Sequence, residues 1–334
     1  MRSRAPMIVL VAVLACGTEP QLSPGSAVRV TIPPGASLAA AAESLSAHDL
    51  ISSTATFRFY AVLSGRGRAV QAGTYDLRRS VSFRGILNAL MAGRPPERRL
   101  VILEGLTLEE IADTVERQLG IPAESVRVAA QDPDLRATLG VPAPTLEGYL
   151  FPSTHFVRND ASARDLVRQL TTEFERHWRP DWTARLDTLG MTRHEIITLA
   201  SIIEGEVRHD ADRAYVSSVY HNRLRRGMRL QADPTVVYAL GRRRRLFERD
   251  YRTPSPYNTY LNDGLPPGPI GAPTAASVRA ALFPAHTQFI YLVARPDGQH
   301  VFSRTYTEHL RAIREIRSGR DPGSTATTPG ASGR

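Results

Sequence analysis

Apolar and polar positions along the chain predict short strands that alternate with helices. Residues 28–32 alternate as in a half-buried strand, and a Pro-Pro-Gly turn then leads into a helix over residues 38–48. The same order of strand, glycine turn and capped helix returns over residues 99–118, which indicates a weak internal repeat. Helical periodicity also covers residues 56–63, 83–91, 161–178, 193–207, 213–226, 236–239, 275–282 and 308–316, and a hairpin is predicted over 289–303. We expect an α+β fold.

The predicted helix over residues 193–207 contains two carboxylates within an otherwise apolar pattern. At about 3.6 residues per turn, one apolar stripe forms, and Glu204 and Glu206 lie on its two flanks. The stripe consists of Ile196, Leu199, Ala200, Ile203 and Val207. Desolvation beside an apolar surface raises the pKa of a carboxyl group, as a general acid requires. The pattern leaves the two glutamates equivalent, and solvated helix-flank side chains are the alternative interpretation.

Composition limits the class of protein but does not identify its binding partner. The chain has 334 residues, of which 42% are hydrophobic and 22% charged, so it is long enough for two or three domains with their own cores. All 42 basic residues are arginine, and the formal net charge is +9. Such a balance suits nucleic acid, an anionic membrane surface or an acidic polymer such as a cell wall.

The first residues predict export from the cytoplasm. Arg2 and Arg4 precede a short apolar run over residues 7–15, which is typical of a signal peptide and falls below the roughly 20 residues of a membrane-spanning helix. The run ends at Cys16, the single cysteine, in a sequence that resembles a bacterial lipoprotein box. We expect lipid on the Cys16 thiol and a location on the extracytoplasmic face of the cell membrane. An uncleaved signal or single-pass helix is the alternative anchor.

The chemistry-bearing residues favour work on a sugar polymer. No glycine-rich phosphate loop follows a strand, no histidine pair has metal-ligand spacing, and no Gly-x-Ser-x-Gly elbow occurs. We therefore expect no cofactor and no metal, and export together with the lack of an aromatic-basic motif opposes nucleic-acid binding. The carboxylates, amides and tyrosines that remain suit proton donation to a glycosidic oxygen and contacts to saccharides.

Five motifs, in this order, resemble the MltG (YceG-like) family of endolytic murein transglycosylases. They lie at residues 146–152, 200–206, 222–235, 257–260 and 264–270. The resemblance implies LysM-like N-terminal modules, a catalytic region, and cleavage of the MurNAc–GlcNAc bond within nascent peptidoglycan strands. Anhydro-MurNAc ends would form and strand elongation would stop. The family also implies peptidoglycan synthases as partners.

The resemblance assigns the family's essential glutamate to Glu204 and leaves the role of Glu206 open. Gly205 and Val207 stand where the family usually has lysine and threonine. By the same resemblance, five further side chains are expected to line the glycan-binding cleft: Glu147, Asn222, Gln231, Asn258 and Tyr260.

We predict six segments along the chain. They are a signal peptide with lipobox (1–16), a tether (17–27), a LysM-like α/β module (28–98), a second small α/β module with connector (99–145), a catalytic domain (146–316) and a disordered tail (317–334). Two alternatives stay open. One is a hydrolytic muramidase that uses another carboxylate, such as Glu147 or Asp233, as base. The other is a catalytically inactive peptidoglycan-binding lipoprotein.

Overall fold

The computed structural model describes residues 28–67, 70–79, 81–93 and 97–319. The chain divides into two compact units, Met1–Glu97 and Arg98–Arg334. The predicted signal peptide, the lipobox at Cys16, the tether and most of the predicted tail lie outside the described residues. Within the described ranges, no helix is both long enough and apolar enough to cross a membrane. The mixture of helices and short strands confirms the expected α+β class.

The first unit has the order β-α-α-β-α. Its elements are β1 (Val28–Ile32), α1 (Leu38–Ala47), α2 (Thr54–Leu63), β2 (Gly73–Leu77) and α3 (Phe83–Ala92). Strands β1 and β2 pair antiparallel, with Val30 opposite Tyr75. Both residues are buried in one core with side chains of all three helices, among them Leu45, Phe57 and Leu87. Each helix begins after a serine whose hydroxyl accepts a backbone N–H, which explains the position of the helix starts.

The second unit contains the remaining strands and helices. The strands are β3 (Glu97–Val101), which pairs with β4 (Thr154–Arg158), and β5 (Tyr291–Ala294), which pairs antiparallel with β6 (His300–Ser303). The helices are α4 (Leu108–Leu119), α5 (Ala123–Ala130), α6 (Pro133–Thr138), α7 (Ala163–His177), α8 (Pro180–Leu189), α9 (Arg193–Glu206), α10 (Asp210–Arg225), α11 (Asp233–Ala239), α12 (Ala275–Leu282) and α13 (Tyr306–Arg317). Capping boxes start α4, α7, α9 and α13.

Helix α9 lies at the centre of this unit. Every residue from Ile196 to Ile203 is buried, and Ile197 belongs to a different hydrophobic cluster from Ile196. The apolar stripe predicted for this helix was therefore too narrow, because α9 is covered on all sides until its last turn. The hydrophobic cluster that contains Ile197 also includes residues on both sides of the predicted domain boundary at residue 145, among them Leu100 and Leu170.

The segment β3–α4 repeats the local structure of β1–α1. In each, a glycine with positive φ turns the chain after the strand: φ is 75° at Gly35 and 68° at Gly105. A hydroxyl residue then caps the helix, Ser37 in the first segment and Thr107 in the second. The turn at Gly105 brings the start of α4 to the edge of the cleft described below.

Candidate active site

The two glutamates at the end of α9 turn to different surroundings. Glu204 Oε2 accepts hydrogen bonds from the Thr274 backbone N–H at 2.8 Å, from the Thr274 hydroxyl at 2.6 Å and from the Arg213 guanidinium at 3.3 Å. The Glu204 side chain is only 8% exposed. Because Thr274 caps α12 and Arg213 lies on α10, this carboxylate ties three helices together. It is not among the residues that line the large cleft of the unit.

Glu206 does line that cleft. It is the last residue of α9, its side chain is 15% exposed, and its Oε2 accepts a 3.3 Å hydrogen bond from the Tyr220 hydroxyl. The assignment of the family's essential glutamate to Glu204 stays a prediction. Negative charge in the last turn of a helix opposes the helix dipole and costs stability. A chain that accepts such a cost at a cleft commonly does so for function.

A buried histidine connects Glu206 to another carboxylate. His300 Nε2 lies 3.8 Å from Glu206 Oε1, while the backbone N–H and Nδ1 of His300 contact Asp212 Oδ2 at 2.7 and 3.1 Å. Burial lowers the pKa of His300, but hydrogen bonding and charge from Glu206 and Asp212 outweigh it, so the pKa is raised above its ordinary value. The three side chains form a carboxylate–imidazole–carboxylate row that ends in the cleft.

The cleft has a volume of about 960 Å³ and is built from the ends of several elements. The start of α4, the end of α9, the start of α11 and the β5–β6 hairpin contribute to its walls. Six carboxylates of the described residues line it: Glu109, Glu110 and Asp113 on α4, together with Glu147, Glu206 and Asp233. Its volume is at the upper end of the range for small-molecule sites, which is about 300–1,000 Å³.

Asp233, at the first position of α11, is held by two tyrosines. The Tyr260 hydroxyl donates to Oδ1 at 2.6 Å and the Tyr251 hydroxyl to Oδ2 at 3.4 Å, and the two rings lie 4.6 Å apart. Burial raises the pKa of Asp233, and the negative charge of Glu206 raises it further. Asp233 and Glu206 are therefore electrostatically coupled. Tyr260, which we expected to contact glycan, is the residue that orients Asp233.

Glu147 lines the cleft and also hydrogen-bonds the backbone at the start of α4. Both of its carboxylate oxygens lie 3.0 Å from the backbone N–H of Leu108, and the Tyr238 hydroxyl donates to Oε2 at 3.3 Å. Burial raises the pKa of Glu147 to about 7, although these hydrogen bonds act in the opposite direction. Its contact with glycan stays a prediction.

The other three predicted glycan-binding residues do not line the cleft. The Asn222 amide donates to the carbonyls of Thr287 and Phe289, and the Asn258 amide donates to the carbonyls of Tyr251 and Thr253. Gln231 has positive φ, 48°, and its side-chain oxygen accepts from Arg223 at 3.4 Å. These side chains brace the loops around the cleft, and their contact with glycan stays a prediction.

Gly205 allows α9 and α11 to approach each other. A Cβ atom at this position would lie 2.8 Å from the Cβ of Pro234, closer than real side chains come. The missing side chain therefore lets Glu206 and Asp233 line the same cleft. Sequence reasoning gave this glycine no role, and it also missed His300, Asp212 and Tyr220, since no motif marked them. Across the described ranges, no cluster of three or more candidate metal ligands occurs.

Comparison with known proteins agrees with the fold and the motif order. The model of the YceG-like family matches residues 30–315. The endolytic murein transglycosylase of Bacillus subtilis (strain 168) is 32% identical over 302 residues, which cover 85% of this chain and 83% of that protein. The protein of the same name from Streptococcus pneumoniae serotype 2 (strain D39) is 28% identical over 321 residues, covering 86% of this chain and 58% of the relative.

A crystal structure of a YceG-like protein from Listeria monocytogenes superposes with a TM-score of 0.59. Its sequence is 32% identical, and the match covers 86% of this chain and 99% of that one. The family model, the sequence relatives and the solved structure thus agree over most of the chain. The chain belongs to the YceG-like family.

Proposed function

We propose that this protein is an endolytic murein transglycosylase, a lyase that cleaves peptidoglycan glycan strands. The relatives from B. subtilis and S. pneumoniae bear that name and match most of this chain. The observation that carries the proposal is Glu206, a carboxylate on the wall of the large cleft, backed by His300 and Asp212. We further infer that Glu206 is the catalytic residue, and Glu204, which the family resemblance assigns, stays the alternative.

In the proposed reaction Glu206 acts first as acid and then as base. Its proton passes to the glycosidic oxygen between MurNAc and GlcNAc, and the bond from that oxygen to C1 of MurNAc breaks. The C6 hydroxyl of the same MurNAc then attacks C1, and its proton returns to Glu206. A 1,6-anhydro-MurNAc end and a GlcNAc 4-hydroxyl result, and no water is consumed.

One carboxylate suffices for this route because the nucleophile belongs to the substrate. Ordinary glycosidases need a second acid to activate water or to form a covalent intermediate. The imidazole of His300 lies beside Glu206 and is itself held by Asp212, so both limit the orientations that the Glu206 side chain can adopt. They are positioning residues in this scheme.

A hydrolytic muramidase is the second candidate, and one observation favours it. Asp233 lines the same cleft and is coupled electrostatically to Glu206, so the two carboxylates form a pair of the kind that glycosidases use. Mass spectrometry of the products from purified sacculi distinguishes the two reactions. Anhydro-MurNAc ends support the lyase, and reducing ends support the hydrolase. No change in soluble muropeptides would support an inactive binding protein.

We also propose that the first unit binds glycan as a LysM-like module. Its order β1-α1-α2-β2, with the two strands paired antiparallel, supports this reading. An exposed side chain on α2, Phe59, is 70% exposed and is available to stack on a sugar face. The variant Phe59→Ala should release fewer fragments from sacculi while keeping its folding. Unchanged release and unchanged sacculus binding would contradict the proposal.

The location and partners are further proposals. The signal-like run and Cys16 support an N-terminal lipid anchor on the extracytoplasmic side of the cell membrane. Labelling with a lipid precursor should mark the wild type and leave Cys16→Ala unlabelled. Label in neither protein would favour the uncleaved signal. Peptidoglycan synthases are the partners that the family resemblance implies, and co-purification from cross-linked membranes tests for them.

A further inference from the structure

A second pocket in the Arg98–Arg334 unit carries concentrated positive charge. It has a volume of about 530 Å³ and lies between α8, α10 and the segment that follows α12. Arg185, Arg225 and Arg304 line it, and among the described residues that line it none is acidic. The pocket shares no lining residue with the cleft that contains Glu206.

Neutral groups hold these guanidinium groups in place. Arg185 donates from Nε to the Leu282 carbonyl at 3.0 Å and lies over the ring of Phe283 at 5.5 Å. The guanidinium of Arg304 lies 5.8 Å from the centre of the Phe289 ring. Aromatic and carbonyl partners orient an arginine without neutralising its charge.

Two arginines that line the large cleft have negatively charged partners instead. Arg243 pairs with the carboxylate of Glu110 at 2.6 Å, and Arg244 pairs with that of Asp250 at 2.7 Å. In the second pocket, Arg225 instead donates to the side-chain oxygen of Asn222, an uncharged amide. The described partners of Arg185, Arg225 and Arg304 are thus neutral, which leaves an excess of positive charge at the second pocket.

The positive charge of the pocket affects a buried histidine that lines it, His221. His221 is 4% exposed, and its ring nitrogen Nε2 contacts the Ala281 carbonyl at 2.7 Å. Burial lowers the pKa of His221, and the positive charges of Arg225 and Arg185 lower it further. The hydroxyl groups of Ser218 and Thr287 also line the pocket; they are hydrogen-bonded to each other, so one of the two hydroxyl hydrogens remains to donate to an anion.

We propose that this pocket binds a phosphate-type oxyanion, as inorganic phosphate, a diphosphate or the phosphate of a lipid headgroup. Guanidinium groups form paired hydrogen bonds to phosphate oxygens, and several of them match a multiply charged phosphate better than a single carboxylate. A bound anion also relieves the repulsion among three neighbouring cations. The volume lies within the usual range for small-ligand sites.

Calorimetric titration of the whole protein with inorganic pyrophosphate tests the site. We expect saturable binding that weakens at least about tenfold, or roughly 1.4 kcal/mol, in Arg225→Gln/Arg304→Gln, since each charge-assisted hydrogen bond contributes on that order. The control is Arg226→Gln, which, like the single variant Arg304→Gln, removes one positive charge, here from the exposed residue next to the pocket, and should bind as wild type does. The single variant Arg304→Gln keeps the test valid if the double variant fails to fold.

Vesicles separate the two sources of phosphate. Binding to phosphatidylglycerol vesicles, absent with phosphatidylcholine and lost in the double variant, assigns the site to a lipid headgroup. Pyrophosphate binding without such vesicle binding assigns it to a soluble phosphate. Absence of both, or equal weakening in Arg226→Gln, overturns the proposal. Murein cleavage should be unchanged in the double variant, so the result does not depend on the proposed enzymatic activity.

Discussion

The two glutamates of α9 should give opposite results when each is replaced by glutamine. Glu206→Gln keeps the shape of the side chain but removes the proton that the reaction transfers. A general acid–base group typically contributes about 10²- to 10⁴-fold to the rate, so we expect activity to fall by that factor. Folding should change little, because its contacts are a 3.3 Å hydrogen bond from Tyr220 and the neighbouring His300.

Glu204→Gln should instead weaken the fold and spare the chemistry. The Glu204 carboxylate accepts two hydrogen bonds from Thr274 and pairs with Arg213, and both Glu204 and Arg213 are mostly buried. Glutamine keeps an acceptor oxygen but loses the charge, which should cost about 1–3 kcal/mol. For a unit of this size, that corresponds to a fall in Tm of about 2–12 °C. Below its lowered Tm, the Glu204→Gln protein should keep the cleft and Glu206 intact.

Two measurements on the same pair of variants decide the assignment. Digestion of purified sacculi at 20 °C or below, followed by mass spectrometry of the released anhydro-ended muropeptides, measures the enzymatic activity. Calorimetric unfolding reports the stability. An active Glu206→Gln protein together with a folded but inactive Glu204→Gln protein would refute the reasoning, and would return the catalytic role to Glu204.

Three other substitutions test the surroundings of Glu206. The raised pKa of His300 means that its pairing with Glu206 and Asp212 contributes fully to stability below the unfolded pKa of about 6.5. This contribution is lost as the pH rises through the folded pKa of His300. The wild-type Tm should therefore fall as the pH rises from about 6.5 through the folded pKa, and His300→Gln should remove the fall. Gly205→Ala should cost about 1–3 kcal/mol in thermal unfolding and lower activity, because the new methyl group meets Pro234; an unchanged Tm would contradict this. The pKa of Glu147, about 7, means that stability declines between about pH 4.5 and 7 as its buried carboxyl ionises; urea unfolding of Glu147→Gln should lack this decline, which amounts to at most about 3 kcal/mol.

Local sequence signals predicted most of the helices well. The helix expected over residues 108–118 is observed at Leu108–Leu119, and the one expected at 275–282 agrees with α12. Both begin after a threonine that caps the first turn, a signal that depends only on neighbouring residues. Strand β4 was not predicted, because it is short and pairs with β3, which lies far away in the sequence.

The site was harder to predict because its parts come from distant segments. Tyr260 and Asp233 both lie in motifs, but the hydrogen bond between them could not be read from either motif, since it depends on how α11 folds back onto the following loop. Asn222 and Asn258 lie in recognisable motifs, yet their amides hold loop carbonyls. A motif shows that a residue type is required, and an amide that builds a loop satisfies that requirement as well as one that binds a sugar.

The choice between Glu204 and Glu206 shows this limit most sharply. Helical periodicity gives the direction of a side chain relative to its own helix, and it placed both glutamates beside an apolar stripe. In the structure α9 is buried on all sides, so the environment of each carboxylate is decided by elements that arrive later in the chain. Thr274, which lies 70 residues after Glu204, donates a hydrogen bond to the Glu204 carboxylate and so holds it against the start of α12. His300, on β6, lies beside the other carboxylate at the cleft wall, which is why we propose that the chemistry follows the second glutamate.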